Sequence, residues 1–108
     1  MRVRLSAEAE ADLAQAVSWY LKVESRALGA RFLQSVDAAL ERLSTGNAHG
    51  SPVPGVSERL RVRRLRLQDF PYFIILRELG DELQVLAFAH ERRSPSYWRK
   101  RMRGGTDL

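Results

Sequence analysis

Apolar residues follow a helical pattern in the first half of the chain and an alternating pattern in the second. Apolar side chains at three- and four-residue steps predict an amphipathic helix over about residues 7–23, with Ser6 as its N-cap. A second helix follows the candidate cap Ser25 and ends near Gly46. Because few residues separate the helices, we expect them to form an antiparallel hairpin. The apolar stripes are Leu13, Val17 and Tyr20 in the first helix and Leu33, Val36, Leu40 and Leu43 in the second.

Strands are predicted on both sides of this hairpin. Val3 and Leu5 flank Arg4 in a short alternating segment near the start. Residues 59–67 alternate again, but the phase slips by one residue at Arg63–Arg64, which predicts a β-bulge at that point. The sequence therefore predicts a first strand before the helices and a bulged strand after them.

Two further strands are predicted to pair with each other. They span residues 70–77 and 82–89, and Gly80–Asp81 between them fits a tight two-residue turn. Ala87 and Ala89 then fall on a face where their small side chains leave room for the helical hairpin to pack. The predicted register pairs Leu79 with Glu82, Arg77 with Gln84, Ile75 with Leu86 and Phe73 with Phe88.

The predicted fold class is α+β. An N-terminal strand and a two-helix hairpin pack on a mostly antiparallel four-stranded sheet, and a short basic helix follows at the C-terminal end. The Gly-, Pro- and Ser-rich segment 44–58 is a loop rather than a domain boundary, because neither half of the chain makes a core alone. We expect a single domain over residues 1–103 and a flexible tail over residues 104–108.

Composition removes several classes of chemistry. The 108 residues include no cysteine and only two histidines, so we expect no disulfide, no metal site and no cofactor. No stretch approaches the roughly 20 apolar residues of a membrane span, and the first residues lack the apolar core of a signal peptide. The expected location is the cytoplasm, with no membrane partner.

Positive charge is concentrated in the second half of the chain. Residues 1–58 hold 6 Lys/Arg and 7 Asp/Glu, a balance of −1, whereas residues 59–108 hold 12 Lys/Arg and 6 Asp/Glu, a balance of +6. The densest cationic run is residues 90–101, HERRSPSYWRKR. Ser94–Pro95 predicts a helix start within it, so the cations lie at a strand-to-helix corner and on the helix that follows. Such a surface favours an anionic partner.

The tail and the element order together resemble a known group of proteins. The segment HERRSPSYW at residues 90–98 is similar to the H-x-R-R-x-P-x-Y-W ending of ParE-like members of the RelE/ParE superfamily of bacterial type II toxins. Trp19–Tyr20 at the end of the first helix, and Arg64 with residues 70–72, agree with it. The resemblance covers about residues 1–101. It implies a toxin encoded beside an antitoxin, a hetero-oligomeric complex with that antitoxin, and a role in plasmid stabilisation.

The superfamily implies two alternative activities. Members of the RelE branch cut mRNA in the ribosome, and members of the ParE branch poison DNA gyrase. RNase chemistry needs a group that orients or deprotonates the ribose 2′-hydroxyl and cations that stabilise charge at phosphorus. If this chain is an RNase, the resemblance implies the candidate residues Tyr97, Arg92, Arg93, Arg64 and His90.

Two positions depart from the RNase pattern. Phe73 stands where RNase members often carry arginine, and Glu91 would repel phosphate. The favoured interpretation is therefore a gyrase inhibitor without a catalytic residue, a binding protein in preference to an enzyme. A ribosome-dependent mRNA endoribonuclease, with the ribosome and mRNA as partners, is the alternative, as is a degenerate toxin that retains only antitoxin binding.

Two surfaces are expected to bind partners. Tyr97 and Trp98 lie about 100° apart on a helix, so we expect Trp98 to be partly buried and Tyr97 to be more accessible. Glu91 is an alternative, intramolecular partner for the neighbouring arginines. The gyrase-binding candidates are Arg92, Arg93, Tyr97, Trp98, Arg99 and Arg101, and the antitoxin-binding candidates are Trp19, Tyr20 and Phe32.

Overall fold

The computed structural model of the protein describes residues 1–106, with side chains as far as Met102. The predicted tail 104–108 lies partly in a helix, and residues 107 and 108 lie outside the described residues. The single-domain boundary at residue 103 stays a prediction. The elements are β1 (Arg2–Leu5), α1 (Ala7–Trp19), a π-helical turn (Tyr20–Glu24), α2 (Arg26–Ser44), β2 (Ser51–Pro52), a 3₁₀ turn (Glu58–Leu60), β3 (Val62–Arg66), β4 (Tyr72–Leu79), β5 (Glu82–His90) and α3 (Ser96–Thr106).

The strands form one mixed, mostly antiparallel sheet, which confirms the predicted α+β class. Its strand order is β1-β5-β4-β3-β2. β1 runs parallel to β5, and the other neighbouring pairs are antiparallel. The four predicted strands are present, and the two-residue β2 adds a fifth at one edge. Within residues 1–106, no helix is long and apolar enough to cross a membrane.

Both predicted helix caps are confirmed. Ser6 Oγ accepts a hydrogen bond from the Ala9 amide at 3.1 Å, and Ser25 Oγ accepts one from the Leu28 amide at 3.0 Å. The first helix does not continue as an α-helix to residue 23, because its last turn is π-helical from Tyr20 onward. A π-helical turn contains an extra residue, so it changes the direction of the side chains that follow.

The sheet separates two apolar layers. The helical hairpin covers one face, where Phe32, Val36, Ile74, Val85 and Phe88 belong to one buried cluster. α3 and residues 53–56 cover the other face, and Trp98 and Met102 belong to its buried cluster. The larger layer thus joins the hairpin to the sheet, and the smaller one holds the basic C-terminal helix in place.

The predicted β4–β5 register is wrong beyond Leu76. Leu76 pairs with Val85, but Ile75 pairs with Ala87 rather than Leu86, because β5 has a bulge at Leu86. The bulge moves every later residue by one position, so the alternation of faces changes. Phe73 consequently pairs with Ala89 instead of Phe88, and Ala87 and Ala89 face α3 instead of the helical hairpin.

The bulge predicted at Arg63–Arg64 is also wrong. β3 pairs with β4 without interruption from Val62 to Arg66. Residues 58–60 form a 3₁₀ turn instead of the start of a strand, and Arg61 after them has a left-handed backbone with φ of 57°. The phase change arises because β3 carries apolar residues on both faces: Val62 belongs to the cluster beneath α3, and Leu65 packs against the cluster beneath the helical hairpin.

Candidate functional site

The α1–β5 pocket, as we name it, is a cavity of about 610 Å³ between the second half of α1 and the ends of β4 and β5. It brings Trp19, a candidate for antitoxin binding, close to Tyr97, a candidate for gyrase binding. Two surfaces that the sequence predicts as separate therefore share one pocket. Its lining consists of Asp12, Gln15, Ala16, Trp19, Tyr20, Glu24, Pro71, Tyr72, Phe88, His90, Arg93 and Tyr97.

The three antitoxin-binding candidates differ in exposure. Phe32 is fully buried, and its ring stacks on Tyr20 with the centroids 4.9 Å apart. Tyr20 is also buried, and it contacts the ring of Trp19 edge-to-face at 5.1 Å. Trp19 itself is 49% exposed. Phe32 and Tyr20 thus form a rigid aromatic support, and Trp19 is the residue of the three that a partner can reach.

Tyr97 is half-buried on the pocket wall. Its hydroxyl donates a hydrogen bond to the Phe88 carbonyl oxygen at 3.3 Å. The Arg93 guanidinium lies 3.6 Å from the centroid of the Tyr97 ring, and the Arg101 guanidinium lies 5.0 Å from it. Burial raises the pKa of Tyr97 to about 12, and the negative charge of Asp12 contributes in the same direction. The hydroxyl therefore stays protonated at neutral pH.

His90 stabilises the corner between β5 and α3. Its Nδ1 accepts a hydrogen bond from the Arg92 amide at 3.1 Å, and its ring contacts Tyr72 edge-to-face at 5.2 Å. The structure therefore gives His90 a structural function at the turn.

A buried ion pair that was not predicted from the sequence joins α1 to α3. Asp12 accepts hydrogen bonds from Arg101 Nη1 at 2.7 Å and Nη2 at 3.0 Å. A signal was present in the sequence: Asp12 lies three residues after Ala9 and four before Ala16, on the buried face of an amphipathic helix. The hydrogen bonds from Arg101 to Asp12 raise the pKa of the guanidinium. Arg101, a gyrase-binding candidate, is therefore occupied inside the molecule.

Trp98 and Arg99 differ sharply in exposure. Trp98 is 3% exposed in the cluster beneath α3, and Tyr97 is half-buried, as expected from their positions on the helix. Burial removes Trp98 from direct contact with a partner and makes it a support for the helix. Arg99 is exposed on α3, with its guanidinium 5.9 Å from the Trp98 ring.

The cations predicted for an RNase site lie in different places. The Arg64 guanidinium stacks 4.6 Å from the centroid of Phe73 and does not line the α1–β5 pocket. Arg93 lines that pocket, and Arg92 is exposed at the corner after β5. Glu91 pairs with Arg66 at 3.3 Å rather than with either neighbouring arginine.

A second, mostly apolar groove lies on the outer side of the helical hairpin. This outer groove has a volume of about 490 Å³, and Leu21 and Leu33 in its lining are exposed. Solvent-exposed apolar grooves of this kind mark protein-binding surfaces. Its lining consists of Glu10, Leu13, Ala14, Val17, Ser18, Leu21, Lys22 and Leu33.

Comparison with known proteins identifies the family. Residues 3–95 match the family described as ParE toxin of type II toxin-antitoxin system, parDE. The chain belongs to the ParE toxin family. The curated proteins include no match to this ParE-family chain.

Across the chain's described side chains, no three His, Cys, Asp or Glu residues form a group that would hold a metal ion.

A solved structure shares the fold of this ParE-family member. It is titled "Chromosomal ParDE TA system from P. aeruginosa", and it is 24% identical in sequence with a TM-score of 0.67. The match covers 83% of this chain and 95% of that chain. The similarity confirms the architecture expected for a ParE-like toxin.

Proposed function

We propose that this ParE-family toxin inhibits DNA gyrase and is neutralised by an antitoxin encoded beside it, both in the cytoplasm. Family membership supports the toxin class, and the state of Tyr97 supports gyrase over mRNA as the target. An RNase needs a group that takes or orients the proton of the ribose 2′-hydroxyl. The Tyr97 hydroxyl instead donates a hydrogen bond to the Phe88 carbonyl oxygen, and burial raises its pKa to about 12. It is therefore unsuited to act as a base at neutral pH.

The arrangement of the arginines supports the same choice. Cations that stabilise a phosphorane-like transition state must converge on one point. Arg64 is stacked on Phe73, and Arg93 is stacked on Tyr97 in the α1–β5 pocket. We therefore assign gyrase binding to the exposed cations of the corner and of α3, namely Arg92, Arg93 and Arg99, together with the half-buried Tyr97.

The outer groove supports an antitoxin partner. An amphipathic helix binds a groove through apolar residues at three- and four-residue steps. Leu21 and Leu33 in the groove lining are exposed, and Val23 and Trp19 are further large apolar side chains left exposed on the hairpin. Burying them beneath an antitoxin helix would remove this apolar surface from water. We assign antitoxin binding to this groove and to Trp19.

A gyrase assay tests the proposed target. The purified chain is incubated with gyrase, ATP and relaxed plasmid, and we expect loss of supercoiling or linearised DNA, relieved by the antitoxin. The variant Arg92→Glu/Arg93→Glu should lose this effect. Arg26→Glu/Arg31→Glu is the matched control, because it reverses two exposed charges on α2.

Ribosome-dependent mRNA cleavage is the competing result. If gyrase is unaffected while the chain binds antitoxin and cuts mRNA, and if Tyr97→Phe abolishes cutting, the chain is an RNase and our proposal is wrong. If neither target responds but antitoxin binds, the chain is a degenerate toxin. Antitoxin binding itself is tested with Trp19→Ala and Leu21→Glu, which should both weaken it.

A further inference from the structure

We propose that the α1–β5 pocket receives a cationic side chain, arginine or lysine, from the bound antitoxin segment. This inference rests on the proposed antitoxin interaction and adds a second anchor beside the apolar one in the outer groove. It assigns to the pocket a ligand chemistry opposite to that expected on a chain with a net charge of +5.

The pocket lining contains two carboxylates. Asp12 is compensated by Arg101, whereas none of the ion pairs among the described side chains includes Glu24. Burial raises the pKa of Tyr20, with further contributions from Tyr72 and Glu24, and burial and Asp12 raise the pKa of Tyr72. Arg93, the arginine of the lining, is stacked on Tyr97. Glu24 is therefore the carboxylate of the lining that can attract an added cation.

The aromatic walls also favour a cation. A guanidinium is attracted to an aromatic face, and Arg93 and Arg101 already lie on the ring of Tyr97. Trp19 is half-exposed at the pocket, and among the described residues no cation lies over its ring. Glu24 and Trp19 together offer an incoming guanidinium or ammonium a carboxylate and an indole.

The two cavities are adjacent across α1. Ser18 lines the outer groove, and the next residue, Trp19, lines the α1–β5 pocket. A segment seated in the outer groove therefore needs to cross only the ridge of α1 to place a long side chain in the pocket. This continuity favours the antitoxin over an unrelated ligand, because one bound segment fills both cavities.

A small-molecule titration tests the chemistry of the pocket directly. Methylguanidinium and its neutral analogue methylurea are added separately, and the indole N–H signal of Trp19 is followed by NMR, assigned with Trp19→Phe. We expect a saturable shift with methylguanidinium and none with methylurea. Glu24→Gln should weaken the effect several-fold, whereas Glu41→Gln, which removes an exposed carboxylate on α2, should not. Equal shifts with both compounds, or a shift with adenosine monophosphate alone, would overturn the proposal.

Antitoxin titration separates this inference from the proposed function. We expect Glu24→Gln to weaken antitoxin binding by about three- to tenfold, as for the loss of a partly exposed cation site, with Glu41→Gln unchanged. If Leu21→Glu abolishes binding and Glu24→Gln has no effect, the cationic anchor is wrong and the antitoxin interaction stands. If neither variant changes the affinity, both proposals are wrong.

Discussion

Asp12 and Arg101, 89 positions apart, form a bidentate ion pair that is largely removed from solvent. Asp12 Oδ2 also accepts a hydrogen bond from the Phe88 amide at 3.1 Å, and Arg101 Nη1 donates one to the Leu86 carbonyl at 2.9 Å. The pair thus links α1, β5 and α3 at one point. Asp12 of the helical hairpin therefore adds a polar link to the apolar packing of Trp98 and Met102 that holds the basic helix in place.

Removing the charge of Asp12 should destabilise the protein strongly. Asp12→Asn leaves the Arg101 guanidinium without its counter-charge in a site where its side chain is only 17% exposed. We expect the free energy of unfolding in urea to fall by about 3 kcal/mol, as when one partner of a buried pair is removed. The control Arg2→Gln breaks the exposed pair with Glu82 and should cost under about 1 kcal/mol. Equal losses of unfolding free energy would show that the buried pair stabilises the protein no more than the exposed pair does.

Gly29→Ala should change antitoxin binding more than stability. A Cβ atom at this position of α2 would lie 2.6 Å from Leu21 Cδ2, so the Leu21 side chain must move. Alanine favours the helix by about 1 kcal/mol, which offsets the lost packing. We expect unfolding free energy within about 1 kcal/mol of wild type and weaker antitoxin binding in calorimetry. Leu21→Ala/Gly29→Ala removes the clash and should be more stable than Gly29→Ala alone.

The protein should lose stability in strongly alkaline solution. The pKa of Tyr97 is raised from its ordinary value of 10.0 to about 12, and the pKa values of Tyr20 and Tyr72 are also raised. The protonated tyrosines therefore contribute stability that is complete below about pH 10 and is lost as the pH rises through about 12. Urea unfolding across this range measures the loss.

Tyr97→Phe provides the matched variant for the alkaline titration. It keeps the ring between the two arginines and removes the ionisable hydroxyl. The alkaline loss should become smaller in this variant, and the cost at neutral pH should be about 1 kcal/mol for one hydrogen bond. An unchanged alkaline loss would contradict the assignment of the raised pKa to Tyr97.

Substitutions at Arg61 should reveal the energetic cost of its left-handed backbone. Arg61→Gly and Arg61→Ala both remove the exposed ion pair with Glu78, but only glycine adopts a φ of 57° without a steric cost. We expect the glycine variant to be more stable than the alanine variant by about 1 kcal/mol in thermal unfolding. The reverse order would show that residue 61 adopts another conformation in solution.

Local signals in the sequence predicted local structure well. Ser6 and Ser25 each accept a hydrogen bond from the amide three residues later, so each cap can be predicted without knowledge of the fold. The bulge at Leu86 was hidden because Leu86 and Ala87 are both apolar, and no break in the pattern marks it. Missing it reversed the assignment of Ala87 and Ala89 to a face of the sheet.

The candidate site could be predicted from the sequence only in part, for a different reason. The cationic corner was found because its residues are consecutive in the chain. The Asp12–Arg101 pair and the α1–β5 pocket bring distant segments together, and no spacing rule reports such contacts. Burial of Phe32 and Trp98 likewise depends on what the rest of the chain packs against them.

The parallel pairing of β1 with β5 has a consequence for the order of events during synthesis. Arg2–Leu5 pairs with Glu82–Val85, so β1 must wait for the synthesis of β5 before it gains its hydrogen-bonded neighbour. Asp12 must wait still longer, until Arg101 has left the ribosome. We expect ribosome-bound chains that end before this point to be cut readily by protease. The fold is therefore completed only after the segment that carries Arg101 has left the ribosome.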